Sequence, residues 1–163
     1  MKNRSMQVFT LLVLLVLSAL LLAACGTAQA AIPASKRTIT MTAVEPKGGV
    51  TVDKEAFPKG KLPEGGGYVL KSPDNTGRWE ISTYRWDPNQ ITVFQGDEVT
   101  LEIIGINGEA HPTIVEGYGL SFAVKRGEVT TVKFKADKVG VFKFQCTAHQ
   151  PTMVGELIVL PRS

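Results

Sequence analysis

The sequence has little cysteine and little histidine: two residues of each type occur among 163. A dense disulfide framework and a histidine-rich tract are therefore both excluded. Methionine is scarce as well, with four residues, of which three lie within the first 41 positions. The few thiol, imidazole and thioether groups in the second half of the chain are therefore the first candidates for a functional site.

An excess of charge of one sign is also missing once the start of the chain is set aside. The whole sequence carries 18 basic and 15 acidic side chains. Residues 1–24 contain Lys2 and Arg4 and no acidic residue, which leaves 16 basic and 15 acidic side chains for the remainder. A nearly neutral chain has no electrostatic footprint for nucleic acid, so nucleic acid is excluded as a partner.

Helical periodicity is absent from residues 36–163, where β-type patterns dominate. The β-rich segments read RTITMTAV, WEISTYRW, ITVFQGDEVTLEII, HPTIVE, LSFAV, EVTTVKFKA, VFKFQC and GELIVL. The run ITVFQGDEVTLEII contains Gly96-Asp97, which predicts a break into two strands. Many short strands at a spacing of about ten residues predict an all-β domain, an antiparallel sandwich or barrel.

One stretch of this domain, residues 45–78, is rich in residues that break regular structure. Four Pro and seven Gly occur between Glu45 and Gly77, with EGGGY at the centre. The composition predicts irregular structure with a short strand from Tyr68 to Lys71. A structureless loop of this length is uncommon, so we expect part of the stretch to pack against the domain.

The only long apolar run lies near the amino terminus, from Val8 to Ala24, after the basic residues Lys2 and Arg4. A basic start, an apolar stretch and an exit through small residues are typical of a secretory signal peptide. The alternative is a membrane-spanning helix that is not cleaved, for which 17 residues is at the short limit.

The tetrapeptide LAAC, Leu22 to Cys25, resembles the lipobox of bacterial lipoproteins. The resemblance implies cleavage before Cys25 and lipidation of that cysteine. The chain then divides into a signal peptide (1–24), a lipidated Cys25 with a flexible tether (25–35) and a β domain (36–163). The domain would be exported and lipid-anchored to a bacterial membrane, on its periplasmic or extracellular face. With Cys25 acylated, Cys146 has no disulfide partner and is either buried or bound to a metal.

The remaining soft and imidazole donors fall into two places in the β domain. His111 begins a predicted strand, while Cys146, His149 and Met153 share the loop between VFKFQC and GELIVL. A thiolate, two imidazoles and a thioether are the donor set of a blue-copper electron-transfer centre, whose compromise geometry tolerates both Cu(I) and Cu(II). The loop can bring three donors to one ion, and a neighbouring strand supplies His111.

The sequence from about residue 79 to 161 resembles the cupredoxins, in QGDEV, in GEVTTVKFKADKVGVFKFQC and in the Cys-x₂-His-x₃-Met loop. The resemblance implies a Greek-key β-sandwich with one copper ion at one end. Its implied ligands are His111, Cys146, His149 and Met153, and the ring edge of His149 would serve as the electron port.

Within that family, the run after Trp79 is similar to nitrosocyanin and to the binuclear-copper domains of nitrous-oxide reductase and cytochrome oxidase subunit II. A binuclear site needs two cysteines in the loop, and only Cys146 is there. Red copper of the nitrosocyanin kind has Glu and His where this chain has His111 and Met153, which favours blue copper. Pro112 stands where many blue-copper proteins have Asn or Ser, so the contacts of that residue do not carry over.

The function expected from these features is a one-electron carrier, not an enzyme, working between membrane-associated redox proteins. Three alternatives remain. The first is a red-copper protein with an open coordination position for a small ligand or for catalysis. The second is a copper-delivery protein, against which the lack of Met-rich or His-rich tracts argues. The third is a zinc site, which Met153 disfavours because thioethers are poor zinc ligands.

Overall fold

Alternating apolar and polar residues give this chain its strands, and twelve are present in the computed structural model, which describes residues 32–162 and the single residue Phe9. The strands are β1 (Lys36–Val44), β2 (Lys47–Thr51), β3 (Tyr68–Lys71), β4 (Arg78–Thr83), β5 (Arg85–Asp87), β6 (Gln90–Phe94), β7 (Glu98–Gly105), β8 (Ala110–Val115), β9 (Leu120–Lys125), β10 (Val129–Lys135), β11 (Gly140–Cys146) and β12 (Val154–Leu160). Residues 32–162 contain no helix, which confirms the predicted all-β class.

The predicted signal peptide (1–24) and the lipidation site Cys25 lie outside the described residues, Phe9 apart. In the part of the chain that is described, no helix has the length and apolarity needed to cross a bilayer. Residues 33–162 form one compact unit.

Two sheets pack face to face as a β-sandwich. One has the strand order β10-β7-β1-β5 and the other β6-β12-β11-β8-β9. The chain crosses between the sheets from β7 to β8, from β9 to β10 and from β10 to β11, which is typical of Greek-key topology. The sheets are mixed rather than purely antiparallel, because β1 pairs with β7 and β6 pairs with β12 in parallel. The alternation of apolar and polar residues along a strand does not show whether the neighbouring strand runs parallel or antiparallel to it.

A third sheet, β2-β4-β3, is built from the segment rich in Gly and Pro. The predicted strand Tyr68–Lys71 is present as β3, whereas β2 was not anticipated. The segment WEISTYRW forms two strands, β4 and β5, in different sheets, and Tyr84 lies at the corner between them. This corner places Tyr84 beside the first residues of β8, where the predicted site begins.

The core lies between the two large sheets and extends to the end of the sandwich at which β8 begins and β11 ends. Trp86 and Phe144 are each 1% exposed and meet edge to face, with ring centroids 4.7 Å apart. Trp86 also approaches His111, with ring centroids at 6.1 Å. Burial of these large rings supplies apolar stabilisation directly beneath the predicted site.

Candidate metal centre

Two paired strands and the loop that follows them bring three donor side chains together. His111 is the second residue of β8 and Cys146 is the last residue of β11, and these strands pair with Cys146 opposite Thr113. His149 lies in the loop between β11 and β12. One imidazole nitrogen from each histidine and the sulfur of Cys146 all lie within 4.8 Å of one another.

The shortest distances among these donors centre on His149. Its Nδ1 lies 3.1 Å from Nδ1 of His111 and 3.2 Å from Sγ of Cys146. His111 and Cys146 are both fully buried. Two ring nitrogens and a sulfur this close together, with two of the three residues fully buried, are an arrangement that a bound cation stabilises.

The backbone sets which nitrogen of His111 is available. Its Nε2 lies 2.9 Å from the carbonyl oxygen of Asn107, and because a carbonyl only accepts, Nε2 must carry the proton. The neutral ring therefore keeps its lone pair on Nδ1, the atom that faces the cluster. A hydrogen bond that fixes the tautomer of a ligating histidine is the usual support for a metal centre.

Asn107 is itself held by the backbone of Glu45. Its side-chain carbonyl accepts from the Glu45 N–H at 2.6 Å, and its amide donates to the Glu45 carbonyl at 2.9 Å. Next to it, Gly108 has φ +83°, and a Cβ there would lie 2.7 Å from the His111 ring. A residue with a side chain at 108 would displace the imidazole, so glycine is required at this position.

Burial shifts the ionisation of all three donors toward the neutral form. It lowers the pKa of His111, and it lowers the pKa of His149, to which the neighbouring His111 also contributes. Burial raises the pKa of the Cys146 thiol, while backbone N–H groups of Ala148 and His149 that donate to the sulfur act in the opposite direction. Burial thus favours the neutral form of both imidazoles, in which one ring nitrogen keeps a lone pair, as metal ligation requires.

Backbone hydrogen bonds close the ligand loop on itself. The N–H of Met153 donates to the carbonyl of His149 at 2.9 Å, and the N–H of Cys146 donates to the carbonyl of Met153 at 3.0 Å. Met153 is fully buried. The structure thus places the fourth predicted ligand in the core, bonded through its backbone to two of the other three.

Pro112 is joined to the ligand loop by its backbone. Its carbonyl accepts from the Thr147 N–H at 2.8 Å and from the Thr147 hydroxyl at 3.3 Å. The link between the first ligand strand and the loop is therefore made by Thr147, and it does not need a polar side chain at position 112.

Two features at the site were not predicted from the sequence. The ring of Tyr84 stacks on the ring of His149, with centroids 3.9 Å apart and planes 24° apart. Gly65–Gly67, which we call the glycine strap, lies against the ligand loop, and the N–H of Gly67 donates to the Gln150 carbonyl at 2.9 Å. The consecutive glycines in EGGGY were the available signal, since consecutive glycines permit close approach of two backbones.

The donor set fits a copper ion. A buried thiol, two imidazoles with their Nδ1 atoms facing it and a buried thioether in the same loop are soft and borderline ligands, which suit copper in both oxidation states. Carboxylates, which harder cations prefer, are not among the clustered donors in the described part of the chain.

Comparison with known proteins agrees with this chemistry. Residues 69–159 match the family model described as "Cupredoxin-like domain". A nitrous-oxide reductase from Stutzerimonas stutzeri is 33% identical over 79 residues, which cover 44% of this chain and 12% of that protein. This chain thus spans only a small part of the length of that relative.

A solved structure shows the same fold. A copper nitrite reductase from Nitrosomonas europaea superposes with a TM-score of 0.50 at 21% identity, over 77% of this chain and 42% of that one. A multicopper oxidase is also similar, with a TM-score of 0.48 at 18% identity, over 80% of this chain and 40% of that one.

Proposed function

Because this chain belongs to the cupredoxin-like family, we propose that it is an exported, membrane-anchored protein that carries one electron at a time on a single copper ion. The observation that carries the proposal is the convergence of His111, Cys146 and His149, whose donor atoms lie within 4.8 Å of one another. Copper is the cofactor that this fold and this donor set support. Met153 is the proposed weak fourth ligand, because it is fully buried in the ligand loop.

When bound, copper supplies the one-electron chemistry, by alternating between Cu(I) and Cu(II). The chain supplies the geometry. The carbonyl of Asn107 holds His111 with its Nδ1 lone pair toward the site, and the loop hydrogen bonds fix Cys146 relative to Met153. The N–H groups of Ala148 and His149 that donate to the Cys146 sulfur favour its thiolate form and oppose the effect of burial, which raises the pKa of the thiol. Donors held in one arrangement keep the reorganisation that accompanies electron transfer small.

The anchor and the partners are proposed from the sequence. LAAC and the apolar run before it support lipidation of Cys25 and export to the periplasmic or extracellular face of a bacterial membrane. A tether to the membrane would raise the local concentration of the carrier around membrane-associated donors and acceptors. Electrons would enter and leave at His149, which is partly exposed whereas the other three proposed ligands are fully buried.

A red-copper protein with an open coordination position is the second candidate function, and the proteins similar to this chain include reductases and an oxidase by name. The burial of Met153 in the ligand loop supports the closed blue-copper site, because a thioether bound at the fourth position would leave no place for a substrate.

The test is to load the full-length chain with Cu(II) and record visible and EPR spectra. Blue copper is expected to give an intense sulfur-to-copper charge-transfer band at about 600 nm. The matched controls are the two cysteine variants. Cys146→Ser is expected to abolish the band, and Cys25→Ser to leave it unchanged.

Each of three other results would argue against the electron-carrier proposal. A red species with dominant absorption at shorter wavelength would favour the open site. A colourless complex that binds Zn²⁺ more tightly than copper would make the site a zinc site. Copper that is lost on each reduction cycle would indicate delivery rather than electron transfer.

A further inference from the structure

Tyr84 is fixed from three directions while its ring covers His149. Its backbone N–H donates to the carbonyl of Gly67 at 2.7 Å, and its hydroxyl bonds to the carboxylate of Glu45. Its ring stacks on His149 at 3.9 Å and meets the ring of His111 edge-on at 5.6 Å. One tyrosine therefore touches both imidazoles of the proposed metal centre.

The glycine strap lies against the same loop at backbone contact distance. A Cβ at Gly65 would lie 2.1 Å from the Gln150 carbonyl oxygen, and one at Gly66 would lie 2.5 Å from that of Ala148. Such distances are shorter than any van der Waals contact between these atoms. Only glycine at these positions permits the strap to lie directly on the loop.

Hydrogen bonds join the strap to the ligand loop and to Tyr84. The carbonyl of Gly67 accepts from the hydroxyl of Thr152 at 2.5 Å and from the N–H of Tyr84. The N–H of Gly67 donates to the carbonyl of Gln150. The strap, Tyr84 and the loop that carries His149 thus form one hydrogen-bonded unit.

We propose that Tyr84 and the glycine strap form a cover that holds the His149 ring in its ligating orientation before copper binds, and that closes the site to small external ligands. Both are positioning elements, because they act through His149 and its loop. The consequence for external ligands rests on the proposed function, whereas the consequence for the metal-free loop does not. A carrier benefits from such a cover, because an external ligand would change the coordination between oxidation states and slow electron transfer.

The first experiment needs no metal. The full-length chain carrying Cys25→Ser has Cys146 as its only thiol, and its rate of reaction with an aromatic disulfide reagent reports how often the ligand loop opens. Tyr84→Ala is expected to raise the rate about tenfold, since an aromatic pair contributes roughly 0.5–1.5 kcal/mol beyond its buried area. Tyr84→Phe, which keeps the ring, is expected to react within about twofold of the parent rate.

Two matched controls separate the cover from general destabilisation. Tyr118→Ala removes an aromatic ring that packs on Phe134 and Phe142, in the turn after β8, away from the strand end that carries His111. Gly66→Ala is paired with Gly48→Ala, because a Cβ at Gly48 meets nothing within 4 Å. Gly66→Ala is expected to speed the reaction of Cys146, and both controls are expected to leave it unchanged.

The second experiment titrates the copper-loaded full-length chain with azide and with imidazole, followed by the visible spectrum. The parent protein and Tyr84→Phe are expected to show no spectral change, whereas Tyr84→Ala and Gly66→Ala are expected to show a new copper–ligand band. The spectral change is a readout that a loss of stability alone does not produce.

The outcomes distinguish the cover from the copper proposal. A parent protein without a charge-transfer band would refute the proposed function. The comparison of Cys146 reaction rates would still test whether Tyr84 and the glycine strap form a cover. Equal thiol rates in the parent, Tyr84→Ala and Gly66→Ala proteins would overturn the cover, and so would a parent protein that binds azide as tightly as Tyr84→Ala. If Tyr84→Ala does not fold, the pair Gly66→Ala and Gly48→Ala gives the same decision.

Discussion

At the scale of single residues, the proposed centre depends on groups that never touch the metal. His111 offers Nδ1 because its Nε2–H donates to Asn107, and Asn107 stays in place because two hydrogen bonds join its amide to the backbone of Glu45. The tautomer of one ligand is therefore set by a residue at the end of another sheet. The orientation of a ligating histidine commonly depends on such a partner.

Replacing Asn107 with Ala tests this chain of contacts. Loss of two hydrogen bonds is expected to lower the free energy of unfolding by about 1–3 kcal/mol, and copper affinity is expected to fall roughly 10- to 100-fold. Urea unfolding and a competitive copper titration measure the two effects. Asn75→Ala, at an exposed position, is the matched control. Unchanged copper affinity in Asn107→Ala would show that the carbonyl at position 107 keeps its place without the side-chain hydrogen bonds to Glu45.

Met153→Leu tests the fourth ligand. Leucine matches methionine in volume, so the fold and copper binding are expected to persist. The reduction potential is expected to rise because a weak donor to Cu(II) is removed, and a tenfold loss of Cu(II) preference corresponds to about 59 mV for a one-electron couple. Voltammetry and the visible spectrum provide the measurement. An unchanged potential and spectrum would remove Met153 from the coordination sphere.

The sequence predicted the donors better than their supports. His111, Cys146 and His149 stood out because the chain has so few residues of these types, and the structure brings their donor atoms together. Asn107 acts through its backbone carbonyl, which any residue possesses, and Tyr84 acts through a stacking contact between distant segments. Neither contact leaves a mark in residue type or spacing, so neither could be predicted.

At the scale of elements, backbone hydrogen bonds shape the ligand loop. Backbone hydrogen bonds of 2.9–3.0 Å join Cys146 to Met153 and Met153 to His149. A further backbone hydrogen bond joins Thr147 of the loop to Pro112 of β8. The loop thus connects two neighbours of β11 in one sheet, β8 and β12. A loop closed in this way is expected to keep its conformation when empty.

Metal removal tests that expectation. Chelation of copper is expected to leave the far-UV circular dichroism unchanged and to lower the Tm, since a ligand at 1,000 times its Kd stabilises the native state by about 4.1 kcal/mol. Cys146→Ser, measured with and without copper, is the control that should show a much smaller difference. Loss of β-type circular dichroism in the metal-free protein would mean that the ion organises the strands.

The prediction of elements succeeded where more and less exposed residues alternate along a strand, and it failed for β2, where they do not. The break at Gly96-Asp97 is confirmed, with β6 before it and β7 after it. β2 was missed because Lys47–Thr51 contains Gly48 and Gly49 and has no fully buried residue, so it shows no clear alternation. Its pairing with β4 comes from tertiary structure, which local sequence does not encode.

At the scale of the whole molecule, the proposed metal centre lies at one end of the sandwich and the predicted tether enters at the other. Strand β1 pairs with β7 from Lys36 beside Glu98 to Ala43 beside Gly105, and Gly105 leads into the loop that holds His111. The predicted tether therefore enters at the end opposite the proposed metal centre, about 25 Å away along the strand. A lipid anchor on that tether would attach the domain at the end opposite the proposed metal centre.

The end at which the tether enters is closed by Asp97, whose side chain is fully buried. Its carboxylate accepts from the N–H groups of Ser35 and Phe94, each at 3.0 Å, and from Arg37 at 2.5 Å. Arg162, near the carboxyl terminus, donates to it as well. One carboxylate thus joins the start of β1, the turn after β6 and the end of the chain.

These contacts predict how the stability of the protein depends on pH. Burial alone would raise the pKa of Asp97, but the N–H groups of Phe94 and Ser35 and the two arginines outweigh it and hold that pKa well below its usual range. A carboxyl group with a depressed pKa contributes stability that is fully present above the unfolded-state value of about 3.9 and is lost as pH falls toward the folded-state value. The contribution is therefore constant from pH 5 to 8 and declines below about pH 4.

Asp97→Asn removes the charge and keeps the shape, so it isolates this contribution. Breaking a buried ion pair typically costs 3–5 kcal/mol, and because Arg37 is more than a third exposed we expect a loss of roughly 2–4 kcal/mol at pH 7. The loss should shrink as pH falls below about 4, because the unfolded parent then takes up a proton that the folded Asp97 does not. Urea unfolding at a series of pH values measures it, with Asp53→Asn at an exposed position as the control, expected within about 0.5 kcal/mol of the parent. A loss in Asp97→Asn that stays constant down to pH 2 would mean that Asp97 acts through its shape and hydrogen bonds rather than its charge.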